Sequence, residues 1–148
     1  MEIVTDLDTI NEILRKADYD QAGIWLFDIT HRKLAIKLYS NENKDVIYLI
    51  MGSCLYIKGN FSWKNPDLLV SMVFNIEHSE NEYKIWDHKA DFELTGNSGI
   101  ALAKGLETEF GDSFEGFLKA QIPIYTLLKK GYSKTPEYPF KFYGVVTC

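Results

Sequence analysis

The sequence predicts an α+β fold: a mostly antiparallel β-sheet of five to seven strands, with an N-terminal helix and C-terminal helices packed on it. Three observations carry this. Val46 to Lys58, VIYLIMGSCLYIK, is the longest nearly uncharged run, and its first half is rich in Val, Ile and Tyr, which favour strands. Such a run is a central strand, or two strands meeting at Gly52–Ser53. The segments around it alternate apolar and polar residues and are joined by connections too short for crossover helices, which gives antiparallel neighbours. Apolar residues spaced three and four apart mark helices near both ends of the chain.

The first helix spans Asp6 to Ala17, with Leu7, Ile10, Ile13, Leu14 and Ala17 on one face. Thr5 is its expected cap, with Asp8 three residues on. After a polar connection, Gly23 to Ile29 alternates as a strand: Trp25, Phe27 and Ile29 face one way, Ile24, Leu26 and Asp28 the other. Thr30 to Lys33 suits a hairpin turn, and Leu34 to Tyr39 is the second strand. SNENKD, Ser40 to Asp45, is a polar turn into the central stretch.

Gly59–Asn60 ends that stretch. Phe61 to Asp67 is an expected loop containing two aromatics and the turn-forming Asn65-Pro66-Asp67. Leu68 to Ile76 is a strand, Glu77 to Glu82 a polar turn, and Tyr83 to Trp86 a strand again. Asp87-His88-Lys89 is a turn or bulge, and Phe92 to Thr95 continues the sheet. From Asn97 or Ser98 the spacing of Leu102, Ala103, Leu106 and Phe110 favours a helix ending at Gly111, against a rival strand over 99–110. A further helix starts at Asp112 or Ser113, is interrupted by Pro123 and ends at Lys129-Lys130-Gly131. Phe140 to Val146 is the expected last strand. The whole chain, 1–148, reads as one domain.

Composition narrows the function classes. Acidic residues outnumber basic ones, 21 to 16, for a net charge of −5. This argues against nucleic acid and against an anionic membrane as partners. No apolar run reaches the length of a membrane span, and MEIVTDLDT lacks the order of a signal peptide. Two cysteines, Cys54 and Cys148, are too few for a disulfide scaffold, so a cytoplasmic protein with reduced thiols is expected. Cys54, flanked by Ile50, Met51, Leu55 and Ile57, is expected to be buried and inert.

No motif names a reaction. His88, with Asp87 and Asp91 beside it, is the strongest acid–base candidate, but a strand sends Asp87 and His88 to opposite faces. A metal needs more ligands than this segment supplies, so neither metal nor cofactor is expected. His31 and His78 sit in predicted turns. The glycines form no phosphate-cradling loop. From Glu77 to Glu115 the chain is strongly acidic. Such a run is usually a solvated face, but it also steers a basic partner. The loop aromatics Phe61 and Trp63 either tuck onto the sheet or serve as anchors.

Three function classes follow. The first is a non-catalytic protein-binding module that neutralises a basic partner. It is comparable in size, acidity and α+β composition with bacterial inhibitor and immunity proteins. Its candidate binding residues are Phe61, Trp63, Asp87, His88, Asp91, Glu107 and Glu109. The second is a small-ligand-binding domain with an apolar or aromatic pocket between sheet and helices. The third is a small hydrolase-like enzyme using carboxylates and His88.

Overall fold

The computed structural model describes residues 1–110. They form β1 (Glu2–Val4), α1 (Leu7–Lys16), β2 (Gln21–Asp28), β3 (Lys33–Tyr39), β4 (Asp45–Met51), β5 (Cys54–Lys58), β6 (Ser62–Lys64), β7 (Leu68–Asn75), β8 (Glu80–Asp87), β9 (Phe92–Gly96) and β10 (Ile100–Leu106). A 3₁₀ turn, Glu107–Glu109, follows β10. The expected single sheet is corrected to two. One has six strands in the order β1-β10-β4-β3-β2-β6, the other four in the order β5-β9-β8-β7. Every pairing is antiparallel.

The reason for two sheets lies in the central stretch. Val46 to Lys58 is two strands, β4 and β5, and each belongs to a different sheet. β4 pairs with β10, β5 pairs with β9, and Gly96 to Gly99 joins β9 to β10. A long two-stranded ribbon is thus folded across its middle, with one half in each sheet. Strands that switch sheets need a bend at the corner. Here it is built from Gly52, Ser53 and residues 96–99. Gly52 N–H donates to Gly99 O at 3.1 Å, Ser98 N–H to Gly52 O at 3.3 Å, and Asn97 N–H to Ser53 O at 3.3 Å. The Ser98 hydroxyl also bonds the Ser53 hydroxyl. Gly96 has no room for a side chain, because a Cβ there would lie 2.7 Å from Gly52 O.

The helix expected after Asn97 is also corrected. Residues 100–106 are strand β10, paired with both β1 and β4. Ile100 and Leu102 face the space between the sheets, while Ala101 and Ala103 face the outer side of the six-stranded sheet; all four are buried. A strand buried on both faces has no polar alternation to reveal it. The helical spacing of Leu102, Ala103, Leu106 and Phe110 is overridden by pairing on both edges. The helices expected from Asp112 onward, the break at Pro123 and the strand at Phe140 to Val146 lie outside the described residues.

The main core sits between the sheets. Ile36, Leu38, Ile47, Leu49 and Leu102 come from one side, and Leu68, Val70, Ile85, Phe92 and Leu94 from the other. Helix α1 covers this layer with fully buried Ile10 and partly buried Leu7, Ile13 and Leu14. Its cap is Asp6 rather than Thr5: the Asp6 carboxylate accepts from Thr9 N–H at 2.9 Å and from the Thr9 hydroxyl at 2.6 Å. A second cluster lies on the far face of the six-stranded sheet, where Tyr48 packs between Trp25 and Phe110 with ring centroids 4.4 and 4.7 Å away.

Three hairpins share one loop design. The loops 29–32, 76–79 and 88–91 each place their last residue, Arg32, Ser79 or Asp91, in the left-handed region. In each, the residue ending the preceding strand folds its side chain back over the loop. Asp28 accepts from Thr30 N–H, Asn75 from His78 N–H, and Asp87 from Ala90 N–H. Asp and Asn stabilise such turns because a short acceptor reaches an amide two or three residues on.

Candidate functional site

Phe61 and Trp63, expected in a loop, flank or form β6, a short strand added to β2. Phe61 O accepts from Ile24 N–H at 2.7 Å, while its ring is 81% exposed. Trp63 turns inward: its ring stacks on Phe92 at 4.6 Å, and its indole N–H donates to Asp87 Oδ2 at 2.9 Å. Asp87, only 1% exposed, also accepts from Asp67 N–H at 2.8 Å and Ala90 N–H at 3.1 Å. One carboxylate thereby ties β6, the loop before β7 and the β8–β9 turn together. A buried carboxylate that collects three donors is a structural anchor.

The other candidates are dispersed. His88 is exposed at the tip of the β8–β9 turn, and Asp91 points to solvent, ion-paired with Lys58 at 3.0 Å. Glu107 and Glu109 stand on the 3₁₀ turn after β10, in the other sheet. Glu107 pairs with Lys37, and Glu109 with the Met1 ammonium at 2.8 Å. Asp87 meets Trp63, but His88, Asp91 and the two glutamates do not join that contact. Among the described residues no group of three or more His, Cys, Asp or Glu side chains is placed to hold a metal ion.

A second charged group, not singled out from the sequence, sits at the β2–β3 hairpin. Asp28 and Lys33 face each other across the pair and are 5% and 3% exposed. His31 Nδ1 lies 3.4 Å from Asp28 Oδ2. Burial pulls the Lys33 ammonium down to about 7, against the opposing pull of Asp28. Its unfolded value is the ordinary 10.5. Between those values the unfolded chain holds one more proton than the native chain, so stability rises with pH through that window. The stability difference between the native chain and Lys33→Met is expected to grow by about 1 kcal/mol per pH unit from about pH 8 to about pH 9.5. Urea melts of both proteins measure it; parallel pH profiles would show that Lys33 is charged in the native state.

Cys54 is buried behind this hairpin, and burial pushes its thiol up to about 12. It is therefore a thiol, not a thiolate, and lacks the ionised form a nucleophile needs. A surface cleft of about 390 Å³ lies beside the end of α1, lined by residues that include Lys16, Asp18, Tyr19, Lys44, Asp45 and Lys104. Charges of both signs surround it, unlike the apolar pocket expected for a small-ligand site.

The most unusual surface is the far half of the β7–β8 hairpin. Leu68 and Val70, under α1, are buried. Past the helix, Met72, Val73, Phe74 and Ile76 are 47%, 62%, 57% and 83% exposed. Glu77, Glu80 and Glu82 rim them, and no Lys or Arg occurs from Met72 to Tyr83. Among the described residues, Glu80 and Glu82 are held only by weak amide contacts, from Asn97 and Asn75 at 3.4 Å. The acidic run was visible in the sequence. The exposure of its apolar neighbours was not, because alternation reports a strand's faces but not how far along the strand its cover extends.

No family model, no curated protein and no solved structure matches the chain.

Proposed function

We propose that this chain is a protein-binding module that engages a basic partner through the far half of the β7–β8 hairpin. The observation that carries the reading is the continuous exposure of Met72, Val73, Phe74 and Ile76 inside a rim of glutamates that meet no cation among the described residues. Adjacent exposed apolar residues with a polar rim are the anatomy of an interaction surface. Phe74 and Ile76 supply area that is desolvated on contact, which carries most affinity at interfaces. Glu77, Glu80 and Glu82 raise the encounter rate with a basic surface and exclude acidic ones. An inhibitor or immunity-type role is the form this takes when the partner is a basic enzyme or toxin held inactive.

Co-purification from the source cells at low and high salt tests the reading. Capture is expected to weaken at high salt. Phe74→Ser and the double change Glu80→Gln with Glu82→Gln are each expected to lower affinity at least tenfold, about 1.4 kcal/mol. A partner that binds both variants as tightly as the native chain would place the site elsewhere. A small molecule enclosed against the sheet, with no protein partner, would overturn the reading.

A further inference from the structure

We infer that the partner is taken up by strand addition: an extended basic segment pairs, main chain to main chain, with the open half of β7. This rests on the protein-binding reading and specifies its mode. An unpaired sheet edge invites another strand, and proteins normally blunt their edges with short strands, bulges, charges or proline. Among the described residues the two sheets have four edges, and three of them are blunted. β1 is three residues long and carries Glu2. β6 is three residues long and is followed by Asn65-Pro66. β5 has a register shift between Cys54 and Tyr56 and ends at Lys58. β7 has none of these devices. It runs eight residues, Leu68 to Asn75, in unbroken register with β8, and contains neither a charged residue nor proline.

One contact shows what the β7 edge accepts. The Asn11 side chain of α1 donates from Nδ2 to Val70 O at 2.8 Å, and Val70 N–H donates to Asn11 Oδ1 at 2.8 Å. The amide thus makes both bonds that one residue of a neighbouring strand would make. It also fixes which groups face outward. Because Val70 turns both its N–H and C=O away from β8, Met72 and Phe74 do the same by the two-residue repeat of an antiparallel pair. Asn11 occupies the first outward position, and the next two have no partner among the described residues.

The side chains select the occupant. Met72 and Phe74 lie on one face of the edge and Val73 on the other, so an added strand gains apolar contact on both sides. Glu82 stands opposite Val73 and Glu80 opposite Asn75 on β8, with Glu77 in the loop beyond. A second copy of this chain would bring three more glutamates to the same ribbon, whereas a segment alternating apolar and basic residues meets opposite charge.

The test uses a capped octapeptide of alternating Lys and Val, added to the intact chain and followed by amide NMR. The Met72 and Phe74 signals are expected to shift saturably and their hydrogen exchange to slow at least tenfold. A Glu–Val peptide of the same length, and a Lys–Val peptide N-methylated at alternate residues, are expected to bind at least tenfold more weakly. Met72→Pro removes an outward N–H that β8 does not use, and is expected to abolish binding; Phe74→Lys, a change at an exposed position, gives a second variant should the first not fold. Equal binding of the N-methylated peptide, or no saturable shift at Met72 and Phe74, would overturn strand addition. Sedimentation showing self-association that Phe74→Lys abolishes would replace the basic segment by a second copy. If these fail while Phe74→Ser still weakens capture of the cellular partner, the binding surface stands and only its mode is wrong.

Discussion

Asp87→Ala is expected to destabilise the protein by about 3 kcal/mol, since it orphans three partly buried donors at a cost near 1 kcal/mol or more each. Those donors are the Trp63 indole N–H and the backbone amides of Asp67 and Ala90. Asp87→Asn keeps the shape and one acceptor, and is expected to cost about half as much. Trp63→Phe retains a ring on Phe92 but loses one hydrogen bond, for about 1 kcal/mol. Urea unfolding of the three variants gives the order. Equal effects of Asp87→Ala and Trp63→Phe would mean that the two backbone amides find water when the carboxylate is removed.

Gly96→Ala is expected to cost about 2–3 kcal/mol, the range of overpacking against atoms that cannot move aside. The obstacle is the Gly52 carbonyl oxygen, 2.7 Å from the added Cβ, with Met51 Sδ at 2.8 Å. That carbonyl is held in turn by Ser98 N–H, so relieving the clash opens the corner where both strands change sheets. Gly23→Ala is the control: its Cβ would meet nothing closer than 3.4 Å, and its cost is expected to stay below about 1 kcal/mol. Thermal melts of the two variants separate the cases. A Gly96→Ala protein as stable as Gly23→Ala would show that the corner is pliant.

Alternation made most strands legible. β2, β3, β7 and the core of β8 follow their apolar positions, and the turns between them were marked by short polar runs such as Thr30 to Lys33 and Glu77 to Glu82. The double-sheet arrangement was not legible, because a break at Gly52–Ser53 reads the same whether the chain turns within a sheet or crosses to another. β10 was misassigned because Ile100 to Ala103 is buried on both faces and Ala favours helices. The inward turn of Trp63 depends on Asp87, 24 residues away, and no local pattern reports that pairing. Asp28 reads as the polar end of a strand, and His31 and Lys33 as part of a polar hairpin turn. The burial of Asp28 and Lys33 was not legible, because the hairpin packs against a segment far away in sequence, where Cys54 N–H donates to Arg32 O at 2.6 Å.

The edge of β7, unpaired beyond Asn11 among the described residues, carries the functional account, and native-state hydrogen exchange on the free chain tests it without any partner. The Ser71 and Val73 amides, bonded to β8, and the Val70 amide, bonded to Asn11, are expected to exchange slowly. Met72 and Phe74, between and beyond them, are expected to exchange fast, and Asn11→Ala is expected to move Val70 into the fast group. Met72 and Phe74 amides as slow as those of Ser71 and Val73 would show that the edge is already occupied, and would contradict the account.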